Sequence, residues 1–506
     1  GSGKTKVYLE AVAQAISDGR QALILLPEIS LTPQSLERFE KCFGHAPALW
    51  HSDMSDKQRH TTWQGALTAQ ASVVVGARSA LFLPFANLGL IIVDEEHEQS
   101  YKQEQGVIYN ARDMAVVRAR TQKIPLILAS ATPSLETFVN VKKGRYEHLH
   151  LHQRHASACM PTIHLVDMRA QKPEDTPHGK SWISQPLRQA LETRLTKHEQ
   201  SLLFLNRRGY APLTLCQDCG QRQQCTGCSS WLVEHRSLGK LMCHQCGNQY
   251  VKPKLCPSCQ APASFVACGP GVERLQEELT HLFPTARVAV LTSDHGTSHK
   301  RSALLKEILE GKIDIIIGTQ MIAKGHHFPN LTLVGVVDAD LGLSGGDLRA
   351  CEKTYQLRHQ VSGRAGREQK EGDVILQTYV PEHPVLNALT QGDRDTFLSE
   401  EIDARQQYDM PPFSRLVGFI LSGPDEALVE KVIRHMAARL PSCAGVTLMG
   451  PAPAPIVKIR NRYRWRMLLK ADKDIRVQPL IKAWLASIKI PSTLRLHLDV
   501  DPYSFL

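Results

Sequence analysis

The run Leu90-Ile91-Ile92-Val93-Asp94-Glu95-Glu96-His97 sets an apolar segment directly before three acids and a histidine. A buried strand that ends on carboxylates is where a nucleotide-hydrolysing α/β sheet keeps its metal ligand. A matching phosphate site lies upstream. Gly1-Ser2-Gly3-Lys4-Thr5 is the second half of a P-loop, and the helical pattern Val7 to Ile16 follows it. Glycines let backbone N–H groups close around phosphate oxygens, Lys4 would neutralise the β/γ charge, and the Thr5 hydroxyl would reach Mg²⁺. Asp94 is then the candidate metal ligand, and Glu95 the residue that orients and deprotonates the attacking water. A strand followed by a solvated acidic turn is the bland alternative, outweighed by the half motif roughly 90 residues upstream. The first glycine of that motif and the strand before it are expected to precede residue 1, where the chain shows neither an initiator Met nor a secretory signal.

Working outward, Ala22 to Leu26, Ser72 to Val75 and Pro125 to Leu128 read as further buried strands separated by helical patterns, which predicts a parallel sheet. A second set follows at Ser201 to Leu205, Val288 to Leu291, Ile313 to Ile317, Leu333 to Val337 and Asp373 to Gln377. With 506 residues the chain exceeds what one core supports. The expected division is a first lobe over 1–170, a second over 171–400 with an insertion at 213–262, and a smaller α+β domain over 401–506. At 42% hydrophobic and 22% charged, the composition excludes collagen-like and disordered classes, and no apolar run approaches bilayer length. The excess of 60 Lys and Arg over 50 Asp and Glu, a formal +10, favours a polyanionic partner.

Two segments specify the kind of ATPase. Ser130-Ala131-Thr132 follows the strand at 125–128, and Gln360-Val361-Ser362-Gly363-Arg364-Ala365-Gly366-Arg367 offers two arginines separated by an Ala-Gly pair. Arginines brought from a second lobe stabilise the transferring phosphoryl group only when the lobes close, which couples hydrolysis to motion. Together with DEEH at 94–97 and Gly318-Thr319-Gln320-Met321-Ile322-Ala323-Lys324-Gly325-His326-His327-Phe328-Pro329, these stretches resemble the superfamily 2 helicases in type and order. The resemblance implies two RecA-like lobes. It implies that His97 links the ATP site to nucleic acid, that Gln360 contacts nucleotide or neighbouring motifs, and that Arg364 and Arg367 are the arginine fingers.

Eight of thirteen cysteines form four Cys-x-x-Cys pairs: Cys216/Cys219, Cys225/Cys228, Cys243/Cys246 and Cys256/Cys259. Two residues between ligands let both sulfurs of a knuckle bind one tetrahedral ion, so eight thiolates satisfy two closed Cys₄ zinc sites in a reducing cytosol. Iron–sulfur clusters accept the same ligand number, but repeated two-residue knuckles suit zinc better. Spacing does not decide which pairs share a metal.

The insertion in the second lobe, with Tyr101-Lys102-Gln103-Glu104, Leu205-Asn206-Arg207-Arg208-Gly209-Tyr210 and Lys324 to Pro329, is similar to the primosomal replication-restart helicases from residue 1 to the end. That resemblance implies one zinc on Cys216, Cys219, Cys256 and Cys259 and the other on Cys225, Cys228, Cys243 and Cys246. It implies 3′ to 5′ polarity, action on forked and single-stranded DNA, and assembly with other primosome proteins and single-stranded DNA-binding protein. It also implies DNA-binding domains ahead of residue 1. Ser362 departs from the Ala common in that family. An RNA helicase, a translocase that does not unwind, and a zinc-stabilised scaffold with a vestigial ATP site are the rival readings.

Two segments are candidates for nucleic-acid contact. Between Glu98 and Arg112, Tyr101, Lys102, Tyr109 and Arg112 mix aromatic and basic groups that can stack on bases and pair with phosphates. Near the C-terminus, Lys458, Arg460, Arg462, Arg464, Arg466 and Lys470 occur with no acid between them. Arg462, Arg464 and Arg466 alternate with Tyr463, Trp465 and Met467, so a strand there would carry one cationic and one apolar face.

Overall fold

The computed structural model describes the chain apart from residues 1–2, 28–32, 152–160, 172, 174–180, 206–212, 217–222, 227–231, 236–239, 244–247, 252, 263–264, 269–270, 293–297, 320–321, 323–327, 344–347, 367–369 and 505–506. It divides into one unit of residues 1–206, 276–344 and 350–399, and another of 207–275, 345–349 and 400–506.

The first unit holds two parallel sheets. Strands β1 (Gln21–Leu25), β2 (Ala48–Trp50), β3 (Val73–Gly76), β4 (Leu88–Asp94) and β7 (Leu126–Ala129) run in the order β2-β3-β1-β4-β7; the short pair β5 (Lys102–Gln103) and β6 (Tyr109–Asn110) stands apart. Helices α1 (Lys4–Ser17), α2 (Pro33–Phe43), α3 (Asp56–Leu67), α4 (Ala111–Gln122) and α5 (Leu135–Lys142) connect them. Alternate residues of β1 serve opposite cores. Ala22 and Ile24 pack with Tyr8, Leu9 and Val12 of α1, whereas Leu23 and Leu25 pack on the side of Ala111, Ala115 and Ala119 of α4. Burial on both faces is why these strands read as continuous apolar runs. Alanine at every fourth position lets α4 lie close to the sheet.

In the second lobe, β8 (Thr162–Asp167) and β9 (Gln200–Phe204) come first, the chain leaves for β10 to β14 (213–268), and β15 (Val288–Leu291), β16 (Ile315–Gly318), β17 (Leu331–Val336) and β18 (Asp373–Thr378) complete the order β15-β16-β9-β17-β18-β8. The associated helices are α6 (Gln185–Thr196), α7 (Val272–Leu282), α8 (Ser298–Leu309), α9 (Ala350–Ser362), α10 (Pro384–Gln391) and α11 (Arg394–Gln407). Strand β8 corrects the expected lobe boundary at 170, because Thr162 to Asp167 pair in register with Asp373 to Thr378 of the second sheet. As an edge strand with Thr162 and His164 facing solvent, β8 lacks the apolar continuity of its neighbours.

Each lobe fixes its central strand by the same device. Gln21, the first residue of β1, is buried; its Nε2 donates to Ala66 O at 3.1 Å and Ala71 O at 2.9 Å, and its backbone N–H to Asn87 O. Gln200, the first residue of β9, donates to Ile308 O and Ile313 O, each at 2.8 Å, and its N–H to Asn330 O.

In the second unit, β10 (Leu213–Cys216), β11 (Val233–His235), β12 (Lys240–Met242), β13 (Gln249–Val251) and β14 (Phe265–Cys268) form an antiparallel sheet ordered β13-β12-β11-β10-β14. Pairing of β14 with β10 extends the insertion to residue 268, beyond the expected 262. Cys225, Leu232, Leu241 and Cys243 make a small core, with Tyr250 and Ile459 packed against it.

The C-terminal part of that unit is antiparallel, ordered β20-β21-β19-β22 from β19 (Ser414–Gly423), β20 (Val446–Ile459), β21 (Arg462–Asp472) and β22 (Arg495–Val500), with helices α12 (Glu426–Ala438) and α13 (Val477–Ala486). Trp484 of α13 is buried against Phe419, and its indole N–H donates to Met436 O at 3.0 Å. The β20–β21 turn places Arg460 and Asn461 at φ 49° and 59°, the paired left-handed geometry of a two-residue hairpin loop. Among the described residues no helix is long and apolar enough to cross a membrane.

Candidate functional site

The carboxyl edge of the first sheet gathers the expected groups. Gly3, at φ 83°, caps α1, and Lys4 is the first residue of that helix. Its Nζ donates to Glu95 Oε1 at 3.1 Å. Asp94 ends β4; its Oδ2 accepts from the Tyr8 hydroxyl at 3.2 Å and its Oδ1 from the Glu95 N–H at 2.9 Å. Glu95 takes a left-handed backbone, φ 47°, a conformation that costs a non-glycine residue about 1 kcal/mol and turns its side chain away from that of Asp94. Glu95 Oε2 is buried and has no hydrogen-bond partner. Thr5 lies in the first turn of α1, whereas Gly1 and Ser2 are outside the described residues.

Burial, and then repulsion from Glu95, pushes the Asp94 carboxyl up to about 6. Burial works on Glu95 in the same direction, but the Lys4 ammonium, His97 and Arg364 together hold its carboxyl below the ordinary range. A carboxylate that resists ionisation beside one held ionised suits a site completed by a cation. Asp94, Thr5 and Lys4 offer a carboxylate, a hydroxyl and an ammonium of the kinds that could hold a magnesium nucleotide.

His97 carries the arrangement into the second lobe. Its Nδ1 lies 2.7 Å from Ser130 Oγ and 3.7 Å from Glu95 Oε2, and its Nε2 is 2.9 Å from Gln360 Nε2. With the Gln360 amide donating, the ring proton belongs on Nδ1, where it is donated to Ser130 Oγ. Arg364 follows the end of α9 and acts electrostatically on Glu95; Arg367 lies outside the described residues, as does most of 318–329.

The expected DNA contacts of the 98–112 segment are corrected by the structure. Tyr101 is 1% exposed and its hydroxyl donates to Leu25 O at 3.0 Å and Asp94 O at 2.7 Å; Lys102 is buried as well. Arg112 is buried too, with its Nη1 3.3 Å from Glu96 Oε2 and 2.6 Å from Ser134 Oγ. Glu96, itself 1% exposed, accepts in addition from Ser134 N at 2.7 Å and Thr137 Oγ1 at 3.0 Å. These residues brace the acidic turn from within. An exposed aromatic surface in this part of the lobe is Phe82, 57% exposed and edge-on to Tyr109 with ring centroids 5.0 Å apart; Val107, two residues before Tyr109 in sequence, is 77% exposed. Phe82 falls outside the segment that composition singled out.

The basic strand is present, and the expected alternation holds. Trp465, Met467, Leu469 and Ala471 are buried while Arg462, Arg464, Arg466 and Lys470 share the opposite face. Arg462 Nη2 donates to Ser422 O and Thr493 O, both at 2.8 Å, and Lys458 Nζ sits 5.1 Å above the Tyr463 ring.

Of the eight paired cysteines, Cys225, Cys243 and Cys256 are buried and Cys259 is exposed. Cys219, Cys228 and Cys246 and the side chain of Cys216 lie outside the described residues, among which no group of three metal ligands converges. Cys225 and Cys243 share one small core, with Cys225 Sγ 3.0 Å from the Tyr250 hydroxyl. Their donor chemistry and closeness fit thiolates drawn from two knuckles to one ion.

Comparison with known proteins agrees with this geometry. Residues 1–141 match the model of the DEAD/DEAH box helicases, 261–369 that of the helicase conserved C-terminal domain, and 406–503 that of the primosomal protein N C-terminal domain. The replication restart protein PriA of Rickettsia felis is 46% identical over 506 residues, covering 100% of this chain and 77% of that protein. The chain belongs to the PriA family. The PriA proteins of Bacillus subtilis and Haemophilus influenzae are each 40% identical, covering 100% and 99% of this chain and 63% and 68% of their own lengths. With both helicase domains of the PriA family present, the chain is an ATP-dependent helicase.

Two measurements test the site's electrostatics. Arg112→Ala leaves the buried Glu96 carboxylate without its cation and is expected to cost about 3–5 kcal/mol of stability; an unchanged melting temperature would return Arg112 to the list of surface contacts. Because the folded-state pKa of Asp94 is raised, the folded chain binds more protons than the unfolded one between about pH 4 and 6, so stability falls as pH rises through that window. A bound cation removes the penalty only where Asp94 is ionised. Magnesium nucleotide should therefore raise the melting temperature more at about pH 7.5 than at about pH 5, and equal increments would contradict this account.

Proposed function

We propose that this helicase moves 3′ to 5′ on DNA, remodels stalled or abandoned replication forks and starts primosome assembly. The observation that carries the proposal is the pair of hydrogen bonds Lys4–Glu95 and His97–Gln360, with Glu95 and His97 3.7 Å apart between them, so that the series runs from the phosphate-binding helix of one lobe to α9, which precedes Arg364, in the other. Lys4, Thr5 and Asp94 would hold ATP and Mg²⁺. Glu95, ionised and with one oxygen available, would take a proton from the attacking water, and Arg364 with Arg367 would stabilise the charge of the transferring phosphoryl group. His97 and Gln360 would pass the state of that site between the lobes.

Single-stranded DNA is expected at the Phe82–Tyr109 pair, an exposed aromatic edge of the first lobe, in place of Tyr101, Lys102 and Arg112. The face of Arg464, Arg466 and Lys470 would follow a phosphate backbone, with Arg462 and Lys458 shaping the hairpin that carries them. Two structural zinc ions would complete the cysteine-rich sheet, one on Cys225, Cys228, Cys243 and Cys246 and one on Cys216, Cys219, Cys256 and Cys259. Support for the first comes from Cys225 and Cys243 lying in one core. The names of the relatives support restart as the process; primosome proteins and single-stranded DNA-binding protein would be its partners, in the cytoplasm.

ATP hydrolysis measured with no nucleic acid, single-stranded DNA, forked DNA and structured RNA decides the substrate. Forked DNA should stimulate most, and RNA performing as well would overturn the restart proposal. Glu95→Gln should lower turnover on the order of 10²- to 10⁴-fold while ATP still binds. Phe82→Ala combined with Tyr109→Ala should weaken stimulation by single strands and leave unstimulated turnover in place. Metal analysis of the folded chain should return about two zinc ions, and a value near zero refutes the Cys₄ sites.

A further inference from the structure

The segment that follows β7 is held from two directions. Its side chains serve the first lobe: Ser130 Oγ faces His97, and Ser134 Oγ donates to Glu96 Oε2 at 3.0 Å. Three of its backbone groups serve the second. Arg394 Nη1 donates to Ala131 O at 3.2 Å, Gln356 Nε2 reaches Thr132 O in a long 3.5 Å bond, and Glu352 Oε1 accepts from Leu135 N at 3.0 Å.

Glu352 and Gln356 lie on α9 eight and four residues before Gln360, so one face of that helix presents all three to the first lobe. Both are buried, Glu352 to 3% exposure. Leu135 opens α5, and its N–H is one of the end donors that no helical carbonyl can satisfy. The neighbouring donor, Ser134 N, is taken by Glu96 from within the lobe. Leu135 N depends on a carboxylate that arrives from the other lobe, and the bond exists only when the two are in register.

We propose that Glu352 and Gln356 are positioning residues for ATP turnover. They engage the 130–135 backbone when the lobes meet, and through Ser130, Ser134, His97 and Glu96 they set the orientation of Glu95. The hydrogen bonds described for both go to the 130–135 backbone, away from the nucleotide-binding groups Lys4, Thr5 and Asp94. They therefore act on the efficiency of hydrolysis and leave nucleotide affinity alone. The inference rests on the helicase assignment and adds a lobe-to-lobe reader outside the arginine-bearing segment.

The test compares Glu352→Ala with Glu352→Gln, whose amide oxygen can still accept from Leu135 N. Two readouts are needed: kcat and KM for ATP with saturating single-stranded DNA, and amide exchange over 131–137 with a non-hydrolysable ATP analogue and DNA bound. Glu352→Ala should lower kcat on the order of tenfold, within the range of ordinary inter-site couplings, with KM changed less than about twofold. Exchange over 131–137 should quicken, and Glu352→Gln should restore both. Should Glu352→Ala fail to fold, Gln356→Leu removes the donor to Thr132 O at similar volume and is expected to act in the same direction. Unchanged kcat, equal damage from Ala and Gln at position 352, or unaltered exchange overturns the proposal. Absence of hydrolysis in the unsubstituted chain would count against the motor itself, while exchange would still report on the bond.

Discussion

Three consecutive carboxylates, Asp94, Glu95 and Glu96, stand at the end of β4, next to the central strand of the first lobe, and each must find its own compensation in a confined space. Like charges on adjacent residues repel, and removing them from water is costly. The fold answers by sending them in three directions. Asp94 goes to Tyr8 and a backbone N–H, Glu95 to Lys4, and Glu96 to Arg112, Ser134 and Thr137. The left-handed backbone at Glu95 is what lets neighbouring side chains diverge. Much of the surrounding structure follows from this: the phosphate-side helix anchors the second acid, and the helix after β7 anchors the third.

That arrangement also explains which residues could be read from sequence. The half P-loop and the acids were legible because an apolar strand ending in carboxylates is rare without a ligand to justify it. Tyr101, Lys102 and Arg112 misled for a physical reason. A mixture of aromatic and basic groups looks the same whether it faces a polyanion or a buried anion of the protein itself, and Glu96, sixteen residues before Arg112, is the anion concerned. Phe82 carried no signal because a single aromatic in an apolar stretch normally packs inside. The polar stripe of α9 was half visible. Gln360 stood out through its arginine-bearing neighbours, whereas no motif or spacing distinguishes Glu352 and Gln356 from solvated helix positions.

The central strands were placed well, and so were the apolar edge strands β7 and β15; the edge strands β2 and β8 were not read. β8 carries Thr162 and His164 and pairs on one side only, so nothing in its composition assigned it to the later sheet. The cysteine-rich stretch is the opposite case. Its ligand spacing was plain, but the short antiparallel strands between the knuckles depend on few apolar residues and gave little periodicity to read.

The matching glutamines at the heads of β1 and β9 bear on how such a machine can move. Gln21 and Gln200 each lash the start of a central strand to the end of a helix and the approach to the next strand, in the same pattern in both lobes. A side chain clamped at that point opposes sliding between the strand it begins and the segments it joins. Motion between the lobes would then be carried by the side chains that cross from one to the other, Glu352, Gln356 and Gln360.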